Sequence, residues 1–149
     1  MLKASDIMRT EVVTVPLEMT VEELGRLFIE KDLSGAPVVA PDGRLIGIVT
    51  ENDLISRNKR LHIPTMLRLF DAFIPLEGFK SVEKEIKKMS SALVSDICTR
   101  DVITISEDAP IDEIATIMSE KKVHLLPVIK SGRLAGIVGK HELIKGIAR

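Results

Sequence analysis

The chain has 149 residues, 45% hydrophobic and 29% charged, with a formal net charge of −1. That length suits one compact domain or two very small ones sharing a core. The charge gives no general electrostatic case for nucleic acid or an anionic membrane, and four Phe without Trp or Tyr supply few stacking platforms for single strands. A lone cysteine, Cys98, excludes an internal disulfide and any Cys-based metal cluster. Met1 to Asp6 holds no signal-peptide core, and no apolar run of about 18 residues spans a membrane, so the expectation is a cytoplasmic protein.

In chain order, Val12-Val13-Thr14-Val15 reads as a short β-branched strand closed by Pro16. Thr20-Val21-Glu22-Glu23 is a capping box opening an amphipathic helix with Val21, Leu24, Leu27 and Phe28 on its apolar face. The helix is expected to stop at Ser34-Gly35. A second strand follows over Ala36–Ala40, then a turn at Pro41-Asp42-Gly43 and a third strand over Leu45–Val49, hairpinned to the second. At Thr50 the strand gives way to a helix with an acid, Asp53, at its third position. Thr followed by such an acid is a capping-box pattern. It also supplies what a nucleotide's ribose needs, a hydroxyl, a carboxylate and free backbone N–H groups at a strand-to-helix corner. From these residues alone plain capping is the simpler reading.

Arg57 to Arg60 forms a polar break, and Pro64 to Pro75 is an apolar, helical segment expected to pack on the core or a dimer partner rather than on a membrane. Ser81 starts a charged helix with Val82, Ile86 and Met89 as its narrow apolar face. The chain then repeats itself. Asp6-Ile7-Met8 is echoed by Asp96-Ile97-Cys98, Thr14-Val15 by Thr104-Ile105, and Pro37-Val38-Val39 by Pro127-Val128-Ile129, all at one offset. Gly43-Arg44-Leu45 and Gly47-Ile48-Val49 are echoed by Gly132-Arg133-Leu134 and Gly136-Ile137-Val138 after a one-residue deletion in the turn. The expected organisation is therefore repeat 1 over 1–57, an inter-repeat segment over 58–93 and repeat 2 over 94–149. Each repeat reads strand, helix, strand, strand, helix, and the helical crossover makes the first two strands parallel. A unit this small exposes the rest of its sheet, so pairing with its copy is expected.

A doubled β-α-β-β-α unit with these marks resembles a pair of CBS domains, the regulatory module named after cystathionine β-synthase. The marks are Asp6-Ile7-Met8, the Thr14-Val15 strand, Ser34-Gly35-Ala36-Pro37-Val38-Val39 and Gly47-Ile48-Val49-Thr50-Glu51-Asn52-Asp53. The resemblance implies an α/β (α+β) fold of two tandem repeats packed about a pseudo-two-fold axis, with clefts between them that hold AMP, ADP, ATP or S-adenosylmethionine, and a disc-like homodimer. It places the Asp53 carboxylate on the ribose hydroxyls and the Thr50 hydroxyl near ribose or phosphate. Backbone groups around Ser34, Gly35 and Ala36 would meet the adenine edge, next to Pro37. Ile7, Met8, Thr14 and Val15 would line the apolar wall. Repeat 2 departs from the pattern, with Gly139 for the Thr and Glu142 for the Asp. Its Lys122-Val123-His124-Leu125-Leu126-Pro127 resembles the phosphate-contacting segment of the γ subunit of AMP-activated kinase, so His124, Lys140 and His141 become candidate phosphate donors, with Leu125 and Pro127 lining.

Catalytic patterns are missing. His62, His124 and His141 are dispersed, Cys98 stands where repeat 1 has Met8, and there is no phosphate-binding loop or metal-ligand spacing. The pairs Glu22-Glu23 and Asp112-Glu113 sit in first helical turns, where the helix dipole explains them. The expectation is a stand-alone sensor, not an enzyme, with no obligatory cofactor and no metal, acting on an unidentified effector protein. The alternatives are a structural dimerisation module with vestigial clefts, or a nucleic-acid-binding CBS protein using Arg57, Lys59, Arg60 and Lys84, Lys87, Lys88, which the net charge argues against.

Overall fold

The computed structural model describes residues 1–56 and 92–149, and the expectations for the segment between them lie outside the described residues. In chain order the described elements are α1 (Ala4–Ile7), α2 (Val21–Lys31), β1 (Gly35–Val39), β2 (Leu45–Thr50), helical residues 51–56 (α3), α4 (Val94–Ile97), β3 (Ile105–Ser106), α5 (Ile111–Lys121), β4 (Leu125–Lys130), β5 (Arg133–Gly139) and α6 (Lys140–Ala148).

Helix α2 begins as its sequence requires. Thr20 is extended, and its hydroxyl accepts from the Glu23 N–H at 3.1 Å. One turn apart, Leu24 and Phe28 are buried, and their counterparts Ile114 and Met118 play the same part in α5. Each large apolar side chain so buried contributes about 1.5–3 kcal/mol. The stop differs from expectation. α2 ends through Asp32 in the left-handed region (φ 53°, ψ 56°), and α5 through Lys122 (φ 54°, ψ 42°). Asp tolerates that conformation through its short polar side chain, and the expected Gly35 is instead the buried first residue of β1.

β1 and β2 form a two-stranded sheet. The first strand expected in repeat 1 is not formed: Val15 alone makes a bridge, and residues 12–14 are irregular. Pro16, with no N–H, follows immediately and cannot extend the ladder. In repeat 2 the counterpart survives as β3, parallel to β4 with Ile105 opposite Val128, as the crossover rule requires. β4 runs antiparallel to β5 from Leu125 opposite Gly139 to Lys130 opposite Arg133, with an irregularity at Val128/Ile129. The two residues of its turn, Ser131 (φ 53°) and Gly132 (φ 77°), both have positive φ, the geometry that matches strand twist in a two-residue hairpin.

The chain folds into two compact units whose membership crosses the repeats. One unit takes Met1–Thr14, Pro37–Gly47 and Arg100–Arg149, and the other takes Val15–Ala36 with the described part of Ile48–Thr99. In the first unit the N-terminal arm completes repeat 2. Ala4 N–H donates to Ala109 O (2.8 Å), Ser5 N–H to Glu107 O (2.9 Å), and Arg9 exchanges both backbone bonds with Ile137 (2.9 and 3.0 Å). Ala4 and Ile7 join Ile105, Ile114, Met118, Leu126, Val128, Val138 and Leu143 in one core. Two glycines admit the arm. A Cβ on Gly136 would lie 2.7 Å from Arg9 O, and one on Gly146 would lie 2.9 Å from Ile7 Cγ2. In the second unit the segment 92–99 does the same for repeat 1. Val21 N–H donates to Ala92 O and Val94 N–H to Met19 O (both 2.8 Å), while Ile48 and Thr99 exchange bonds at 2.9 and 2.8 Å. Val15, Leu24, Phe28, Ala36, Val49, Ala92 and Val94 are its buried apolar residues.

Candidate functional site

Four of the described helices open in the same way. An acid at the third helical position reaches back to the N–H of the residue before the helix: Asp6 to Lys3 (2.8 Å), Asp53 to Thr50 (2.8 Å), Asp96 to Leu93 (2.9 Å) and Glu142 to Gly139 (2.8 Å). Each such bond satisfies one donor that a helix end would leave orphaned. Capping by Asp53 therefore does not by itself mark a ligand site, and what distinguishes the corners is the remainder of each.

At the Thr50 corner, Asp53 Oδ2 accepts twice, from the Thr50 N–H and from its hydroxyl at 3.2 Å. Thr50 is thus a donor to Asp53, where the reciprocal box would have its oxygen accept from the helix. Asp53 and Thr50 are both part-exposed, and no other hydrogen bond or ion pair holds Asp53 among the described residues. Its Oδ1 remains available as an acceptor, and so do the lone pairs of the Thr50 oxygen. The Glu51 N–H donates to Ser34 O at 2.9 Å, which ties the start of α3 to the residue preceding β1. This bond brings Ser34 beside the Thr50 corner, with Gly35 and Ala36 following it in β1, and it occupies one lone pair of the Ser34 carbonyl. Gly35 and Ala36 are buried with Val15 in the same unit.

The Gly139 corner is built from the same backbone with different side chains. Glu142 reaches the Gly139 N–H through its longer side chain, is 8% exposed, and has Arg9 Nε at 3.7 Å from the oxygen that caps. A Cβ on Gly139 would lie 3.0 Å from that same oxygen. The acid and the glycine therefore fit closely, and a side chain at 139 would require the Glu142 carboxylate to shift by a few tenths of an ångström.

The other candidates fall in the first unit. Ile7, Leu125 and Pro127 are buried there, Pro37 is buried in β1, and Met8 and Thr14 are half-buried. Met8 packs against Gly136. His124, Lys140 and His141 are exposed and make no side-chain hydrogen bond or ion pair among the described residues. One participant was missed from sequence, Arg9. Arg9 directly follows the Asp6-Ile7-Met8 motif, and Thr99 takes its place in repeat 2, so that difference between the copies was the signal. No group of three or more His, Cys, Asp or Glu residues could hold a metal ion among the described residues, and none of the described helices is long and apolar enough to cross a membrane.

The family model for the CBS domain matches twice, over residues 4–59 and 94–149. An uncharacterized protein of Methanocaldococcus jannaschii is 32% identical over 152 residues, spanning 95% of this chain and 89% of its own. The fold matches the crystal structure of CBSX2 in complex with AMP, with a TM-score of 0.76 and 22% identity over 99% of this chain and 97% of that one. It also matches the CBS domain pair of a protein in complex with 5′-methylthioadenosine and S-adenosyl-L-methionine, with a TM-score of 0.71 and 22% identity over 99% and 96% of the two chains. At such identities the structural likeness establishes the fold.

Proposed function

The chain belongs to the CBS-domain family, as a pair of tandem repeats, and on that premise we propose that it is a regulatory sensor that binds an adenosine-containing ligand at the Thr50–Asp53 corner. The observation that carries this reading is the half-committed carboxylate. Asp53 Oδ2 is fixed by Thr50, so the side chain is held in place, while Oδ1 is free to accept a ribose hydroxyl in a charge-assisted bond. Beside it, the Ser34–Ala36 backbone offers peptide groups and small side chains where an adenine edge can approach. The structural neighbours crystallised with AMP and with S-adenosyl-L-methionine support that ligand class, and AMP, ADP, ATP and S-adenosylmethionine are the candidates. Sensing then requires the ligand to prefer one state of the protein or its assembly over another. The chain works without an obligatory cofactor and reports to a separate effector protein. Calorimetric titration with the four candidates tests the reading: one or more should bind, and no binding by any at millimolar concentration refutes it.

Self-association is a second reading with its own support. Ile55 in α3 and Ile144 in α6 stand at equivalent positions of the two repeats and are each 60% exposed, with Ile147 one turn on at 64%. Apolar side chains displayed at matching helical positions suit burial against a second copy of the chain. Sedimentation should give a dimer for the native chain and a monomer for Ile55→Glu/Ile144→Glu. A native monomer refutes it.

A further inference from the structure

The two repeats differ at their corners in ways that bear on how many ligands the chain can hold. Resting on the adenosine reading above, we propose that Arg9 is a specificity-determining residue: its guanidinium closes the Gly139–Glu142 corner, so that the chain holds one adenosine ligand, at Thr50–Asp53. The Arg9 backbone is fixed by two bonds to Ile137, just as the Thr99 backbone is fixed by two bonds to Ile48. The two residues therefore occupy equivalent places beside their corners, one cationic and one neutral. Arg9 Nε stands 3.7 Å from Glu142 Oε1, the atom that also caps Gly139, and the Glu142 side chain is only 11% exposed. A ribose hydroxyl is a neutral donor. To reach this carboxylate it would have to compete with the guanidinium, whose own side chain is half-exposed and partly screened by solvent, and would leave a largely buried carboxylate without its cation.

Gly139 completes the closure. It brings no hydroxyl, and a Cβ there would approach Glu142 Oε1 to 3.0 Å, so an added side chain must push the acid's end aside by a few tenths of an ångström. At the other corner no ion pair holds Asp53 among the described residues, and the acid is part-exposed. Each acid caps through a single oxygen, so the corners differ in the burial of the acid and in its cation. The three differences, Arg9 against Thr99, Gly139 against Thr50 and Glu142 against Asp53, act in one direction.

The test is binding stoichiometry, read by calorimetric titration with AMP, ADP, ATP and S-adenosylmethionine in turn. The native chain should bind one equivalent, Asp53→Asn should weaken that event at least tenfold, and Glu142→Gln should leave it within twofold. The triple variant Arg9→Thr/Gly139→Thr/Glu142→Asp rebuilds the first corner in the second repeat and should bind two equivalents. A merely structural Arg9 would change the melting temperature of that variant and not its stoichiometry. One equivalent for the folded triple variant, or two for the native chain with one removed by Glu142→Gln, overturns the role of Arg9. Should the triple variant fail to fold, the native stoichiometry and the Asp53→Asn and Glu142→Gln pair still decide. No binding in the native chain fails the adenosine reading itself, and this proposal with it.

Discussion

Replacing Gly136 by Ala probes how firmly the N-terminal arm belongs to repeat 2. The new methyl group would stand 2.6 Å from Met8 Sδ, 2.7 Å from Arg9 O and 2.9 Å from Met8 Cγ. The methionine can swing away, because its side chain is flexible. The carbonyl cannot, because the Ile137 N–H holds it at 3.0 Å within a pair of backbone bonds. The protein must either strain the strand or lift the arm. Overpacking of this kind costs about 1–3 kcal/mol. Lifting the arm instead forfeits two bonds, each with a net value of about 1 kcal/mol, and uncovers the apolar contacts of Ile7 and Ala4. The cheaper route sets the loss, about 1–3 kcal/mol, and at this chain length it should lower the melting temperature by about 2–12 °C. Urea denaturation followed by far-ultraviolet circular dichroism measures it. A Gly136→Ala variant within about 0.5 kcal/mol of the native chain would refute the reasoning, since ordinary surface substitutions have effects of that size.

The same substitution at Gly25 should act in the opposite sense: nothing lies within 4 Å of where its new methyl group would stand and the residue is inside α2, so Gly25→Ala should stabilise by about 0.5–1 kcal/mol in the same denaturation assay. Thr20→Ala removes the acceptor of the Glu23 N–H and should cost about 1 kcal/mol, whereas Thr20→Ser should restore most of it. In the β1–β2 turn, the Arg44 N–H bonded to Asp42, aided by the Arg44 guanidinium at 3.1 Å, holds the Asp42 carboxyl below its usual value against the opposing effect of desolvation. A depressed carboxyl contributes stability that is present above the unfolded-state pKa and lost as pH falls through the folded-state value. An NMR pH titration should therefore give Asp42 a midpoint below that of an unstructured aspartate, and Arg44→Ala should move it upward.

The fold was legible where the chemistry is local. Repetition of Asp-Ile-Met/Cys, Pro-Val-Val/Ile and Gly-Ile-Val marked two copies, and the Thr20 cap and the Leu24/Phe28 spacing gave a helix whose start and buried face are as expected. Its end was misjudged because glycine is the usual left-handed residue, and here Asp32 and Lys122 accept that conformation under the constraint of the strands that follow. The strand at Val12–Val15 failed since β-propensity needs a partner ladder, and only one residue of the run finds one. The exchange of arms between the repeats was out of reach, because contacts such as Arg9 with Ile137 join opposite ends of the chain and no periodicity reports them. The candidate site divides in the same way. Thr50 with Asp53 is a local pattern visible in the sequence, whereas the bond from the Glu51 N–H to Ser34 O and the Arg9 guanidinium enter only through tertiary structure.

The central claim is that Asp53 presents one free carboxylate oxygen to a ribose, and Asp53→Asn tests it with the least disturbance. The amide keeps an oxygen for the Thr50 N–H, so the helix cap persists, but the anionic acceptor is gone. Calorimetric titration of both proteins with the adenosine ligand that binds the native chain should show affinity falling at least tenfold, about 1.4 kcal/mol, with the melting temperature nearly unchanged. Equal affinity in a folded Asp53→Asn protein would contradict the account and leave Asp53 as a helix cap alone.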